Sequence, residues 1–100
     1  MITTVNTYVF RALDAYPYDL ETAIEALDLA LAYDDRNVIA LRLMGLIHSE
    51  VLNEYDVAIE YFEKVLAEDP YNVKVQNPYF FALLWNDDLD KAMEFIGISS

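Results

Sequence analysis

The stretch Asn53-Glu54-Tyr55-Asp56-Val57-Ala58-Ile59-Glu60-Tyr61-Phe62-Glu63-Lys64-Val65-Leu66-Ala67-Glu68-Asp69-Pro70 reads as one helix framed by turn residues, and much of it is written again elsewhere in the chain. Asn53 marks the turn before it. Pro70 ends it, because the proline ring restricts the preceding residue and cannot continue the hydrogen-bond ladder. Thirty-five residues upstream, Ala23-Ile24-Glu25 matches Ala58-Ile59-Glu60, and Ala32, Asp34, Asn37 and Val38 match Ala67, Asp69, Asn72 and Val73. Thirty-four residues downstream, Leu89-Asp90-Lys91-Ala92-Met93-Glu94-Phe95 follows the course of Tyr55 to Tyr61. A period of this size marks a repeat array, and three units, about 3–37, 38–72 and 73–100, are expected to fill one domain, the last of them truncated.

The helices can be read in order. From Thr4 to Tyr16, Val5, Tyr8, Val9, Ala12, Leu13 and Tyr16 recur at three- and four-residue steps, the period of an amphipathic helix that Pro17 ends. A second helix over about 20–33 buries Leu20, Ala23, Ile24, Leu27, Ala30 and Leu31, and Asn37 caps a third that runs to about Glu50. The fourth covers about 55–68. Pro78 leaves two paths for the fifth. Either a helix starting at Asn72 bends in its second turn, or Asn77 caps a shorter helix with Pro78 in its first position, which is the preferred reading.

With Leu41, Met44, Gly45 and His48 upstream, and Ala58, Phe62 and Pro70 following, the central unit resembles the tetratricopeptide repeat, with one residue more than usual between Gly45 and Ala58. The first unit keeps Ala23 and Leu27 but has Asp35 in place of the proline; the third keeps Ala92, with Ile96 four residues on. At the close-packing position of Gly45 the outer units carry Phe10 and Phe80, which implies helix pairs spread wider or tilted there. The fold implied is all-α: a right-handed α-solenoid of antiparallel helix pairs, about six helices in all.

Composition agrees. A chain of 100 residues with 56% hydrophobic and 14% aromatic content is no disordered segment, and 2 Gly with 3 Pro leave little turn or strand material. No apolar run approaches the roughly 18 residues of a membrane span, and Met1-Ile2-Thr3-Thr4-Val5 lacks the basic start of a secretory signal, so no membrane role is expected. The absence of cysteine suits a reducing interior, and the cytoplasm is the expected location.

The formal charge of −12 is architectural in its placement. Each second helix opens with an acid-apolar-acid triplet, Asp19-Leu20-Glu21, Glu54-Tyr55-Asp56 and Asp88-Leu89-Asp90, where carboxylates meet the positive end of the helix dipole and can accept its unpaired amide hydrogens. Glu25, Asp28, Glu60, Glu63 and Glu94 lie on the same helices, whereas first helices over 4–16, 38–50 and 73–85 hold only Asp14 and Glu50. The resemblance implies that first helices line a concave groove and second helices form the convex back. By phase, the groove side carries Thr7, Arg11, Ile39, Arg42, Leu46, Lys74, Asn77, Phe81, Leu84 and Trp85, an apolar to basic surface on an acidic protein. Phe81 and Trp85 fall four apart on that side, while Tyr79 and Phe80 follow the core phase.

Other features have plainer explanations. His48 falls where the family packs an aromatic, and no second histidine or cysteine is present to build a catalytic group, so no enzyme is expected. Asn86-Asp87-Asp88-Leu89-Asp90 lacks the glycine and closing glutamate of a calcium loop and reads as a helix start; no metal site and no cofactor are expected. Gly45 and Gly97 stand alone, which excludes a phosphate-cradling loop, and the net charge repels nucleic acid. Two functional readings follow. The first is a scaffold, adaptor or small chaperone holding another protein's peptide or helix, one with apolar anchors and an acidic residue, in the groove. The second is a self-associating unit or the leading part of a longer solenoid, because Trp85, Leu89, Met93 and Ile96 lack a polar capping helix and would form a homodimer contact through the third unit.

Overall fold

The computed structural model describes residues 4–97, and the regular structure in that span is helical throughout. The order is α1 (Thr4–Ala15), α2 (Leu20–Tyr33), α3 (Val38–Leu46) continued by a π turn (Ile47–Val51), α4 (Tyr55–Glu68), α5 (Val73–Trp85) and α6 (Leu89–Phe95). Each helix packs on the next, giving the expected α-solenoid, 48 × 26 × 18 Å. Short turns between successive helices enforce this neighbour-on-neighbour arrangement.

The extra residue of the central unit resides in the π turn. Leu52 donates its N–H to the Ile47 carbonyl, five residues back, at 3.1 Å. A π turn takes one more residue than an α turn to advance the same way, so it absorbs an insertion without turning the rest of the helix pair out of register. The first pair has the same surplus but places it in the loop, with four residues between α1 and α2 against three between α5 and α6. The three-residue turns before α4 and α6 share one shape: Asn53 and Asp87 both take left-handed backbone, φ 55° and 58°, a region these two residue types enter more readily than most.

Side-chain caps account for three helix starts. Asn37 Oδ1 accepts the Ala40 N–H at 2.9 Å, Asn72 Oδ1 the Lys74 N–H at 3.0 Å, and Asp19 Oδ1 the Thr22 N–H at 3.1 Å. The other two opening carboxylates make no side-chain cap, contrary to the sequence expectation. Glu54 is drawn to His48, and Asp88 accepts from the Asn86 amide at 3.0 Å, so each bonds the turn before its helix instead of the amides within it.

The shorter fifth helix is also corrected. α5 begins at the Asn72 cap and runs through Pro78 to Trp85. Proline there removes one ladder hydrogen bond and crowds the Lys74 carbonyl. The helix persists because Val75 and Tyr79, on either side of the proline and one turn apart, are both buried on the same face.

Two linked cores lie between the layers. Val9 and Ala12 of α1 pack with Ala23, Ala26, Leu27 and Ala30 of α2 and with Ala40, Leu43, Met44 and Ile47 from α3 and its π turn. Leu41 joins Ala58, Ile59, Phe62, Val65, Val75, Tyr79, Ala82, Leu83 and Ala92 in the second. The recurring alanines Ala23, Ala58 and Ala92 are all fully or almost fully buried, which explains why a small residue repeats there. Phe10 does not wedge its helix pair apart: it is 57% exposed, as is Leu13 at 43%, so the first pair closes without them. Phe80 is half-buried against the second core.

Gly45 lies directly over the Phe62 ring, and a β-carbon added there would stand 2.7 Å from Cδ1. Phe62 is wholly buried and has no room to withdraw. Gly45→Ala should therefore destabilise the fold by about 1–3 kcal/mol in urea denaturation, despite the better helix propensity of alanine. Combining it with Phe62→Leu should cost less than the sum of the two single changes; strict additivity would show that the two residues do not share this contact.

Candidate functional site

Exposure of the first-helix residues was expected from helical phase, and the structure leaves much of that surface open. Ile39, Phe81 and Trp85 are 42%, 54% and 69% exposed, Arg11, Lys74 and Asn77 are exposed, and Arg42 is half-buried. Leu46 and Leu84 are half-buried and pack against the second core, so they form the floor of the surface and offer little to a ligand.

Three of these residues converge. A cleft of about 280 Å³ between α3 and α5 is lined by Val38, Ile39 and Arg42 on one side and by Asp69, Tyr71, Asn72, Val73 and Lys74 on the other. Its chemistry is mixed, with two cations beside apolar groups, and Asp69 on the rim accepts the Asn72 amide at 3.2 Å. Tyr71 and Val73, 85% and 76% exposed, were missed by the sequence reading because they sit at or before the helix start, where helical phase assigns no face. A tyrosine directly before the capping Asn72 was the available signal.

The remaining groove candidates are dispersed. Asn77 lines a separate cleft of about 530 Å³ with Pro70, Gln76, Phe80, Phe95 and Ile96, on the α6 side of α5. Arg11 lies over the Tyr8 ring at 5.7 Å, and Tyr8 stacks on Tyr33 at 5.9 Å. Phe81 meets Phe80 edge-on at 5.8 Å, and Trp85 lies one turn farther along the same exposed face.

His48 fastens the π turn to α4. Its ring stacks on Tyr61 with centroids 5.6 Å apart, and Nδ1 lies 2.9 Å from Glu54 Oε1. Both ring contacts go to the following turn and helix, so the ring serves packing between them. Among the described residues no cluster of three or more histidine, aspartate or glutamate side chains is placed to hold a metal.

On the other surface, Glu63 carries a tie that the sequence reading did not foresee. Its carboxylate accepts from Tyr79 Oη at 2.9 Å and from Lys91 Nζ at 3.1 Å, joining α4, α5 and α6. Burial first, then the bond to Glu63, push the Tyr79 phenol well above its ordinary range, and the same carboxylate raises Lys91. Tyr61 is raised by burial and by Asp28 and Glu60, and Tyr16 by burial and Glu50.

Comparison with known proteins gives one family. Residues 52–97 match the family model described as tetratricopeptide repeat, so this stretch is similar to that repeat. No curated protein and no solved structure matched it. The repeat is a protein-interaction repeat, in general without catalytic activity, and no helix among the described residues is long and apolar enough to cross a membrane.

The tyrosine shifts set a pH limit. A phenol held neutral in the folded protein gives stability that is complete below its unfolded value, 10.0, and is lost as pH rises through the higher folded value. Stability should therefore be flat in this respect to about pH 10 and decline above it, with Tyr79→Phe flattening the decline. Urea denaturation of both proteins between about pH 8 and 11 checks this, and an identical alkaline slope would remove Tyr79 from the account.

Proposed function

We propose that this chain is a scaffold, adaptor or small chaperone that holds a segment of another protein along the face formed by α1, α3 and α5. The single observation that carries the reading is the cleft between α3 and α5, which joins Arg42 and Lys74 to the exposed apolar groups Ile39, Tyr71 and Val73. A partner fitting that lining offers apolar anchors and an acidic residue. The anchors supply most of the affinity, because exposed ion pairs contribute only about 0.2–1 kcal/mol each. Phe81 and Trp85 extend the apolar surface along α5, and Arg11 lies on the first helix of the array. The cytoplasm is the location consistent with a chain free of cysteine.

A second reading, self-association, is favoured by the exposed apolar residues at the end of α5, on α6 and just after it: Trp85, Leu89, Met93 and Ile96 are 69%, 53%, 42% and 48% exposed. Sedimentation separates the two, since a stable monomer supports the groove and a tight dimer supports self-association.

The groove reading is tested by capture from native lysate. Arg42→Glu, or Phe81→Ala with Trp85→Ala, should lose partner bands at unchanged helix content by circular dichroism. Glu25→Gln, Asp28→Asn and Glu60→Gln together should leave them; Glu63 is kept intact because it ties α4 to α5 and α6. Loss of capture with the acidic set and not with the groove set would move the binding surface to the convex side.

A further inference from the structure

The six cations of the chain do not share one fate. Arg36 pairs with Glu68 at 3.6 Å and Lys91 with Glu63 at 3.1 Å, while Arg11 and Lys64 lie over the rings of Tyr8 and Tyr61. Arg42 and Lys74 have no ion pair and no side-chain hydrogen bond among the described residues, although the protein carries 18 acidic groups. Both line the same cleft. We propose that the groove binds an amphipathic helix lying antiparallel to α5, with apolar residues at positions i and i+4 against Trp85 and Phe81 and an acidic residue at i+11 between Arg42 and Lys74. This rests on the groove reading above and adds to it the partner's conformation and register.

Geometry selects the helix. Lys74, Phe81 and Trp85 recur on one face of α5, opposite the buried Val75, Tyr79, Ala82 and Leu83. At 1.5 Å per residue the cation lies about 10 Å from Phe81 and about 16 Å from Trp85 along the axis. An extended segment covers those distances in about three and five residues, and at both odd spacings the anchor would point away from the side carrying the acid. In a helix, residues seven and eleven positions apart return to within about 20° of one direction. The direction follows from dipoles: the positive amino-terminal end of α5, with Lys74 in its first turn, favours the negative carboxy-terminal end of the partner.

The test uses two synthetic helical peptides without tryptophan. One has Leu at i and i+4 and Glu at i+11; the other has the same composition with that Glu moved to i+9, on the opposite side of the helix. Trp85, the chain's one tryptophan and 69% exposed, reports binding through its emission. The matched peptide should shift the emission to the blue and saturate, and the displaced peptide should bind about fivefold more weakly. In the Arg42→Gln, Lys74→Gln protein the two peptides should bind alike. Equal binding of both peptides to the unaltered protein, persistence of the preference in the double variant, or no binding of either overturns the proposal. Capture from lysate that still depends on Phe81 and Trp85 would, in that event, leave the groove reading standing with a different occupant.

Discussion

The missing side chain of Gly45 sets the distance between α3 and α4, and the rest of the molecule is positioned from that contact. The Phe62 ring fills the space where a β-carbon would be, and it is wholly buried there. α3 then contributes to both cores, with Ala40, Leu43 and Met44 on one side and Leu41 on the other. Moving α3 off α4 would open both at once. The faces that remain to α3 carry Ile39 and Arg42, and α5 is held on α4 through the core that includes Val65, Val75 and Tyr79. The separation of Arg42 from Lys74 is thus fixed by packing beneath the surface, which is the condition for a surface site to be specific.

The π turn protects that arrangement from its own sequence. An inserted residue inside an α-helix would rotate everything beyond it by about 100°. Taken up between Ile47 and Val51, it is spent before Tyr55, and Ala58 and Phe62 arrive on the side that meets Gly45. His48 holds this wider turn through its stack on Tyr61 and its bond to Glu54. Glu54 is taken from capping α4 in the process, so a helix-start interaction is exchanged for one between a turn and a helix.

The periodic part of this architecture was legible in the sequence, and the compensations were not. Alanines recurring at 23, 58 and 92 identify positions where helices approach closely, and α2 and α4 run from Leu20 to Tyr33 and from Tyr55 to Glu68, where their apolar steps and flanking turn residues place them. Pro78 misled because proline acts locally, whereas the burial of Val75 and Tyr79 that overrides it is tertiary. The surplus residue before Ala58 was visible, but a count cannot tell a π turn from a longer loop, and the first two helix pairs use one of each. On α5, phase placed Lys74, Asn77, Phe81 and Trp85 outward, where they are exposed, but also Leu84, which packs half-buried on the second core. The cleft also needs Tyr71 and Val73, which sit where the helical period has not begun.

Charge acts at two ranges in this protein, and the ranges have opposite signs. Screening leaves a field from the net −12 charge reaching roughly 8–10 Å at moderate ionic strength, so the molecule as a whole repels an acidic partner on approach. Within the cleft, Arg42 and Lys74 outweigh Asp69, whose carboxylate is already engaged by Asn72. For the partner proposed here, attraction begins only at contact distance. Apolar anchoring on Phe81 and Trp85 must therefore supply the association, and the two cations then discriminate between registers of a segment already held. Such a division makes binding tolerant of salt while leaving its specificity electrostatic, since added ions weaken the distant repulsion along with the exposed part of the contact. The low pI comes largely from carboxylates on α2, α4 and α6 and at their starts, and for the partner proposed here it gives the wrong sign for the cleft that holds Arg42 and Lys74.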